Sequence, residues 1–156
     1  MMNLHNKRPN HSKAPYRKPE AVKELEKLAT DDARLKHPTL PEYALIVRKF
    51  RDDTANSLTS CIVTYITLKG GFASRINNTG MYRAKLGRYT PGTSCKGLAD
   101  VMATYRGLSF HIEIKIGKDK QSDHQKQIEL QVNNSGGFYY LARNFTDFKA
   151  WLDSRN

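Results

Sequence analysis

Residues 97–115 read GLADVMATYRGLSFHIEIK, and IGKDKQSDHQKQ follows without a break. The stretch sets one acid, Asp100, in an apolar run, then Arg106-Gly107, then a second run carrying Glu113 and Lys115. Two strand-like runs separated by a glycine-containing pair predict a β-hairpin. On the second strand Phe110, Ile112, Ile114 and Ile116 face one way, and Ser109, His111, Glu113 and Lys115 face the other. If Arg106-Gly107 is the whole turn, Tyr105 pairs with Leu108, and counting outward along both strands brings Asp100 opposite Glu113. The same register sets Val101 against Ile112 and Ala99 against Ile114, so one face is apolar throughout. Pattern and register agree.

Opposed strand positions start about 5 Å apart, where like charges repel. An acid among Leu98, Val101 and Met102 is also costly to bury. A divalent cation between Asp100 and Glu113 answers both objections, and carboxylate oxygens suit Mg²⁺ or Mn²⁺. Such an ion polarises a phosphoryl oxygen and lowers the pKa of bound water. Lys115, on the same face, is placed to orient that water or to meet charge developing at phosphorus. The bland alternative stands beside this one. Glu-x-Lys on a strand is commonly solvated surface, Asp100 can be an edge residue or an arginine's partner, and Gln125 can be only the capping partner of Ser122. His111 lacks a second histidine or cysteine at ligand spacing and reads as a phosphate or solvent contact.

The rest of the 156-residue chain has room for one domain and an arm. Lys and Arg outnumber Asp and Glu by 26 to 15, a net charge of +11, which points to a polyanionic partner, most often nucleic acid. The bland reading of that charge is a solubilising surface. No apolar run approaches the roughly 18 residues of a membrane span, and the first residues hold no secretory signal core, so the expected location is cytoplasmic. Cys61 and Cys95, far apart and without metal-type spacing, read as reduced thiols, more readily buried small hydrophobes than reactive groups.

Residues 1 to about 18 are basic and proline-containing, a disordered arm by composition. Glu20–Leu35 has helical composition, Pro38 and Pro41 interrupt it, and Pro41 suits the first residue of a short helix through Phe50. Asp52, Asp53 and Thr54 are cap candidates for a helix over 55–68, ended by Gly70-Gly71. Phe72–Ile76 reads as a strand, 77–80 as a turn, and 83–92 as a basic loop leading to the hairpin. Ser122 and Gln125 form a capping box for the next helix; Phe138–Ala142 is a short strand, and a last helix starts near Phe145. The order helix, strand, strand, strand, helix, strand, helix is an α/β layer arrangement. The division drawn is a basic arm with a helix over 1–40 and the domain proper over 41–156.

Gly97-x-x-Asp100, Glu113-x-Lys115 and a following helix with Gln125 together resemble the PD-(D/E)XK nuclease superfamily, and more closely its VRR-NUC group, small endonuclease-like domains common in phages. Arg75 to Gly80, the Pro91-Gly92 loop and the Gly136-Gly137 strand start are similar to that group as well, and the resemblance covers roughly 54–152. It implies a restriction-endonuclease-like core, a central mixed sheet flanked by helices, and metal-dependent hydrolysis of DNA phosphodiesters. Asp100 and Glu113 would be metal ligands with the Ile114 carbonyl a third, Lys115 the catalytic lysine and Gln125 the motif glutamine. The motif-matched Arg75, Asn77 and Arg83, with Lys118 and Lys120 beside the hairpin, are the candidates for phosphate contacts, the bland alternative for each being a solvated basic surface. Two departures stand out. Ala99 replaces the usual proline, and the first core helix offers no acid, Asp52 and Asp53 in the preceding turn being the nearest. One-metal catalysis is the resulting expectation. Members resembling this group act on branched DNA, some as homodimers; the alternative is a DNA-binding module of the same fold with little cleavage.

Overall fold

A computed structural model describes residues 15–46, 48–76, 81–90 and 95–155, with the side chains at 81–83 and 89 left aside. Asn77, the 77–80 turn, the Pro91-Gly92 loop and the first fourteen residues of the arm lie outside the described residues. The helices are α1 (Glu20–Lys36), α2 (Ala55–Leu68), α3 (Asp123–Asn134) and α4 (Phe145–Asp153); the strands are β1 (Phe72–Arg75), β2 (Met81–Arg83), β3 (Arg88–Thr90), β4 (Val101–Tyr105), β5 (Leu108–Ile114) and β6 (Phe138–Ala142).

The hairpin forms as its pattern dictates. Arg106 and Gly107 both take positive φ (52° and 77°), the type I′ geometry whose twist matches the flanking strands. The register follows: Tyr105 pairs with Leu108, and Val101 with Ile112. β4 and β5 are the middle of a four-stranded sheet ordered β1-β4-β5-β6, antiparallel except for the parallel pair β5 and β6 that α3 connects. This is a mixed sheet flanked by helices.

The apolar face of the hairpin (Val101, Ala103, Tyr105, Phe110, Ile112, Ile114) packs in one core with Leu58, Ile62 and Ile66 of α2, Phe145, Phe148 and Leu152 of α4, and Val22 and Leu25 of α1. Phe110, Phe138, Tyr140, Phe148 and Trp151 add stacked and edge-on ring contacts. Cys61 is buried in this core, where desolvation pushes its thiol up to about 12, as a small hydrophobe requires; Cys95 is exposed. α3 lies across the other face.

Several sequence expectations change. α1, assigned to the arm by composition, contributes Ala21, Val22 and Leu25 to the core. The end of the arm is tied down, with Tyr16 donating to Asp52 and Lys18 paired with Glu26, which also accepts from the Phe50 N–H. The helix expected from Pro41 to Phe50 reduces to a single 3-10 turn, Glu42–Ala44. Tyr43 and Ile46, 93% and 84% exposed, have no core to pack against, and helices this short form only when packed. The basic loop contains β2 and β3, paired with each other antiparallel. No helix among the described residues is long and apolar enough to cross a membrane.

Thr54 caps α2, its side chain accepting from the Ser57 N–H. Asp52, another cap candidate, is buried instead and accepts from the Phe145 N–H at the start of α4 and from the Tyr16 hydroxyl. One side chain thus ties the arm, the approach to α2 and α4 together. Asp52→Ala removes the acceptor of two hydrogen bonds and strands a buried N–H, a loss of about 3 kcal/mol. Urea unfolding is expected to show it as a lower midpoint with unchanged slope, and Tyr16→Phe as a smaller shift.

Candidate metal and nucleic-acid site

On the α3 side of the sheet β5 presents His111, Glu113 and, just past its end, Lys115. Glu113 and Lys115 are 2% and 7% exposed, so they are not solvated surface. Lys115 Nζ lies 3.1 Å from Glu113 Oε1 and 3.5 Å from Asp119 Oδ2. Gln125 completes the capping box with Ser122 and also donates its Nε2 to Glu113 Oε1. Gln125 therefore makes both bonds at once: its oxygen serves the helix and its nitrogen the carboxylate. Glu113 Oε2 is buried and has no hydrogen-bond partner among the described residues.

Asp100 sits one residue beyond the β4 ladder. Its carbonyl accepts from the Ile76 N–H at 2.7 Å and its Oδ2 from the Ile114 N–H at 3.0 Å, which fixes it between the continuations of β1 and β5. The N–H and C=O of a strand residue project from the same edge, so the Ile114 carbonyl leaves β5 on the Asp100 side. The Lys115 N–H bonds the other way, to the Ala142 carbonyl on β6. Burial, and next the Asp100 charge, push the Glu113 carboxyl above its ordinary range, with Lys115 offsetting part of the effect. Burial holds the His111 imidazole low, with Nδ1 enclosed, so this residue is not the open surface contact expected of it.

Gly97 is what lets α3 approach. Its φ is +84°, and a Cβ there would lie 2.6 Å from the His124 carbonyl carbon and oxygen and 2.9 Å from the Gln125 nitrogen. The first turn of α3 rests directly on this backbone, which carries Gln125 to Glu113.

The residues expected to meet phosphate divide. Lys118 and Lys120 are exposed on the loop from β5 to α3, beside Lys115. Arg75 pairs with Val101, so the register puts it on the opposite face from Asp100 and Glu113, at the exposed end of β1. Arg83 ends β2 with its side chain outside the description, and Asn77 lies outside altogether. Asp52 accepts from α4 and the arm, and Arg51 pairs with Asp53, so the turn before α2 does not supply a third acid to the hairpin. No group of three His, Cys, Asp or Glu side chains converges among the described residues.

Two residues enter the site unannounced. Asp119 meets the buried lysine, and Arg143 Nη1 donates to the Gly117 and Asp119 carbonyls, holding their loop against the strand end after β6. The spacing of Lys115 and Asp119 within KIGKD carried a weak signal for the first; nothing local marked the second. No protein family, curated protein or solved structure matches the chain.

Proposed function

We propose that the chain is a Mg²⁺- or Mn²⁺-dependent DNA endonuclease with a restriction-endonuclease-like core of the VRR-NUC kind, selective for branched DNA. The observation that carries this reading is Glu113, a buried carboxylate whose Oε2 makes no full hydrogen bond among the described residues and whose neighbour is another acid. Such an oxygen is costly to leave unpaired, and a divalent cation satisfies it while cancelling the Asp100 repulsion. The donor set fits: Asp100, Glu113 and the Ile114 carbonyl would hold the ion through hard oxygens. When bound, it supplies a polarised phosphate oxygen and an acidified water.

The chain's own residues supply the rest. Gln125 fixes the rotation of the Glu113 carboxylate and leaves Oε2 available. Lys115, shielded from solvent, keeps a cation beside the carboxylate pair, where it meets charge developing on the scissile phosphate. Lys118 and Lys120 extend that positive edge, and the net charge of +11 favours a polyanion. Phosphate contacts position DNA without reading sequence, and the chain has neither zinc-finger spacing nor an evident helix-turn-helix, so DNA shape is the better selector.

The test is a nicking assay on branched and linear DNA with Mn²⁺. Asp100→Ala is expected to lose activity by about 10³-fold, the loss of several kcal/mol of metal-derived stabilisation, while binding DNA as well as the parent. The want of a third convergent acid favours a second reading, a DNA-binding module that cleaves poorly. Binding without cleavage in either protein selects that module. No binding even at low salt removes both.

A further inference from the structure

The sheet face that carries Glu113 continues along β5 through His111 to Ser109. There a recess of about 290 Å³ opens between the strand and the last turn of α3, lined by Ser109, His111, Gln131, Val132, Ser135 and Gly137. This volume lies at the low end of the range for small-molecule sites, about 300 Å³. None of the lining residues is a lysine, arginine, aspartate or glutamate. The chemistry excludes some ligands at once. A phosphate or a carboxylate has no cation to meet, and a metal ion has no carboxylate.

What remains is a neutral planar group with donors and acceptors on its edge. The Ser109 and Ser135 hydroxyls and the Gln131 amide both donate and accept, while Val132 and the bare Gly137 backbone offer apolar contact. His111 adds its half-buried imidazole ring to the wall. We propose that this recess receives one unpaired nucleobase of the DNA strand whose phosphate lies at Asp100 and Glu113. The proposal rests on the nuclease reading and deepens it, since it names the feature of branched DNA that is recognised. Position supports it: His111 precedes Glu113 by two strand residues, about 7 Å along the same face. A strand engaged at the carboxylates passes this opening within a nucleotide or two. A paired base has its edge occupied and cannot enter; a base at a junction, flap or bulge can.

The test is fluorescence anisotropy in EDTA, so that no cleavage intervenes, with three labelled duplexes: one with a single unpaired adenine, the same with an abasic residue there, and a fully paired control. The parent protein is expected to prefer the unpaired base over the abasic site by about tenfold, the worth of one or two net hydrogen bonds. Gln131→Ala and Ser109→Val, both at exposed positions that leave the core intact, should erase that preference and leave affinity for the paired duplex unchanged. Equal binding of base and abasic site by the parent overturns the proposal, whether or not the protein cleaves DNA. A preference that survives both substitutions overturns the assignment to this recess. A preference lost in both variants, in a protein that never cleaves, would sink the nuclease and keep the pocket.

Discussion

Glu113→Gln is expected to abolish metal-dependent cleavage, by about 10³-fold, and to stabilise the metal-free protein at neutral pH. The two effects share one cause. Burial and the Asp100 charge hold the Glu113 carboxyl above its ordinary range, so the folded chain binds this proton more readily than the unfolded chain does. Stability from that group is therefore full below the unfolded carboxylate's range and is lost as pH rises through the raised folded value. Above the unfolded carboxylate's range Glu113 therefore works against folding, even with Lys115 3.1 Å away. Glutamine keeps the shape and removes the charge. The parent protein without metal should lose stability across this window relative to the variant, as read by urea unfolding at a series of pH values in EDTA. Glu26 and Asp153 titrate in the opposite sense. Burial alone would raise both, but hydrogen bonds from Lys18 and the Phe50 N–H, and from Tyr65 and Lys149, lower them. The difference between parent and variant isolates Glu113. Adding Mn²⁺ should reverse the ranking, stabilising the parent more as pH rises and leaving the variant nearly unmoved. A variant less stable than the parent in EDTA at neutral pH would show that Lys115 outweighs burial, and the strain assigned to this carboxylate would be wrong.

What the chain shows before it folds is whatever short-range periodicity encodes. The hairpin register was readable because alternation, a two-residue turn and an apolar face all constrain the same few residues. The Ser122–Gln125 box was readable because its partners lie within one turn. The second bond of Gln125, to Glu113, was not, because it depends on α3 settling over β5. Arg75 shows the same limit from the other side. Its composition suits a phosphate contact, yet only its pairing with Val101 reveals which face it occupies. Asp52 stands where a cap would stand, and Thr54 takes that role while Asp52 reaches across to α4, 93 positions along the chain. Pro41 announced a helix, but the residues after it found no surface to bury against. β2 and β3, three residues each, are too short to display a period. Local chemistry wrote the strands and caps; the site required packing.

That dependence on packing makes Gly97→Ala the most disruptive single-atom change available to the hairpin. Alanine at φ +84° meets the left-handed cost of about 1–2 kcal/mol. The new Cβ also falls 2.6 Å from the carbonyl carbon and oxygen of His124. These are backbone atoms in the first turn of α3, so no side chain can rotate away, and the overpacking adds about 1–3 kcal/mol. A loss of about 3 kcal/mol in urea unfolding is the expected result. If α3 shifts to relieve the contact, Gln125 leaves Glu113, and affinity for Mn²⁺ measured by calorimetry should fall by about tenfold, as for other positioning contacts around metal ligands. Gly107→Ala is the control. Its φ is +77°, but nothing lies within 4 Å of a Cβ there, so it carries the conformational cost without the clash. It should cost roughly 1 kcal/mol and leave Mn²⁺ affinity unchanged. Equal losses at both glycines, with metal affinity untouched, would mean that α3 holds its place without Gly97. The approach of that helix would then have no part in presenting Glu113.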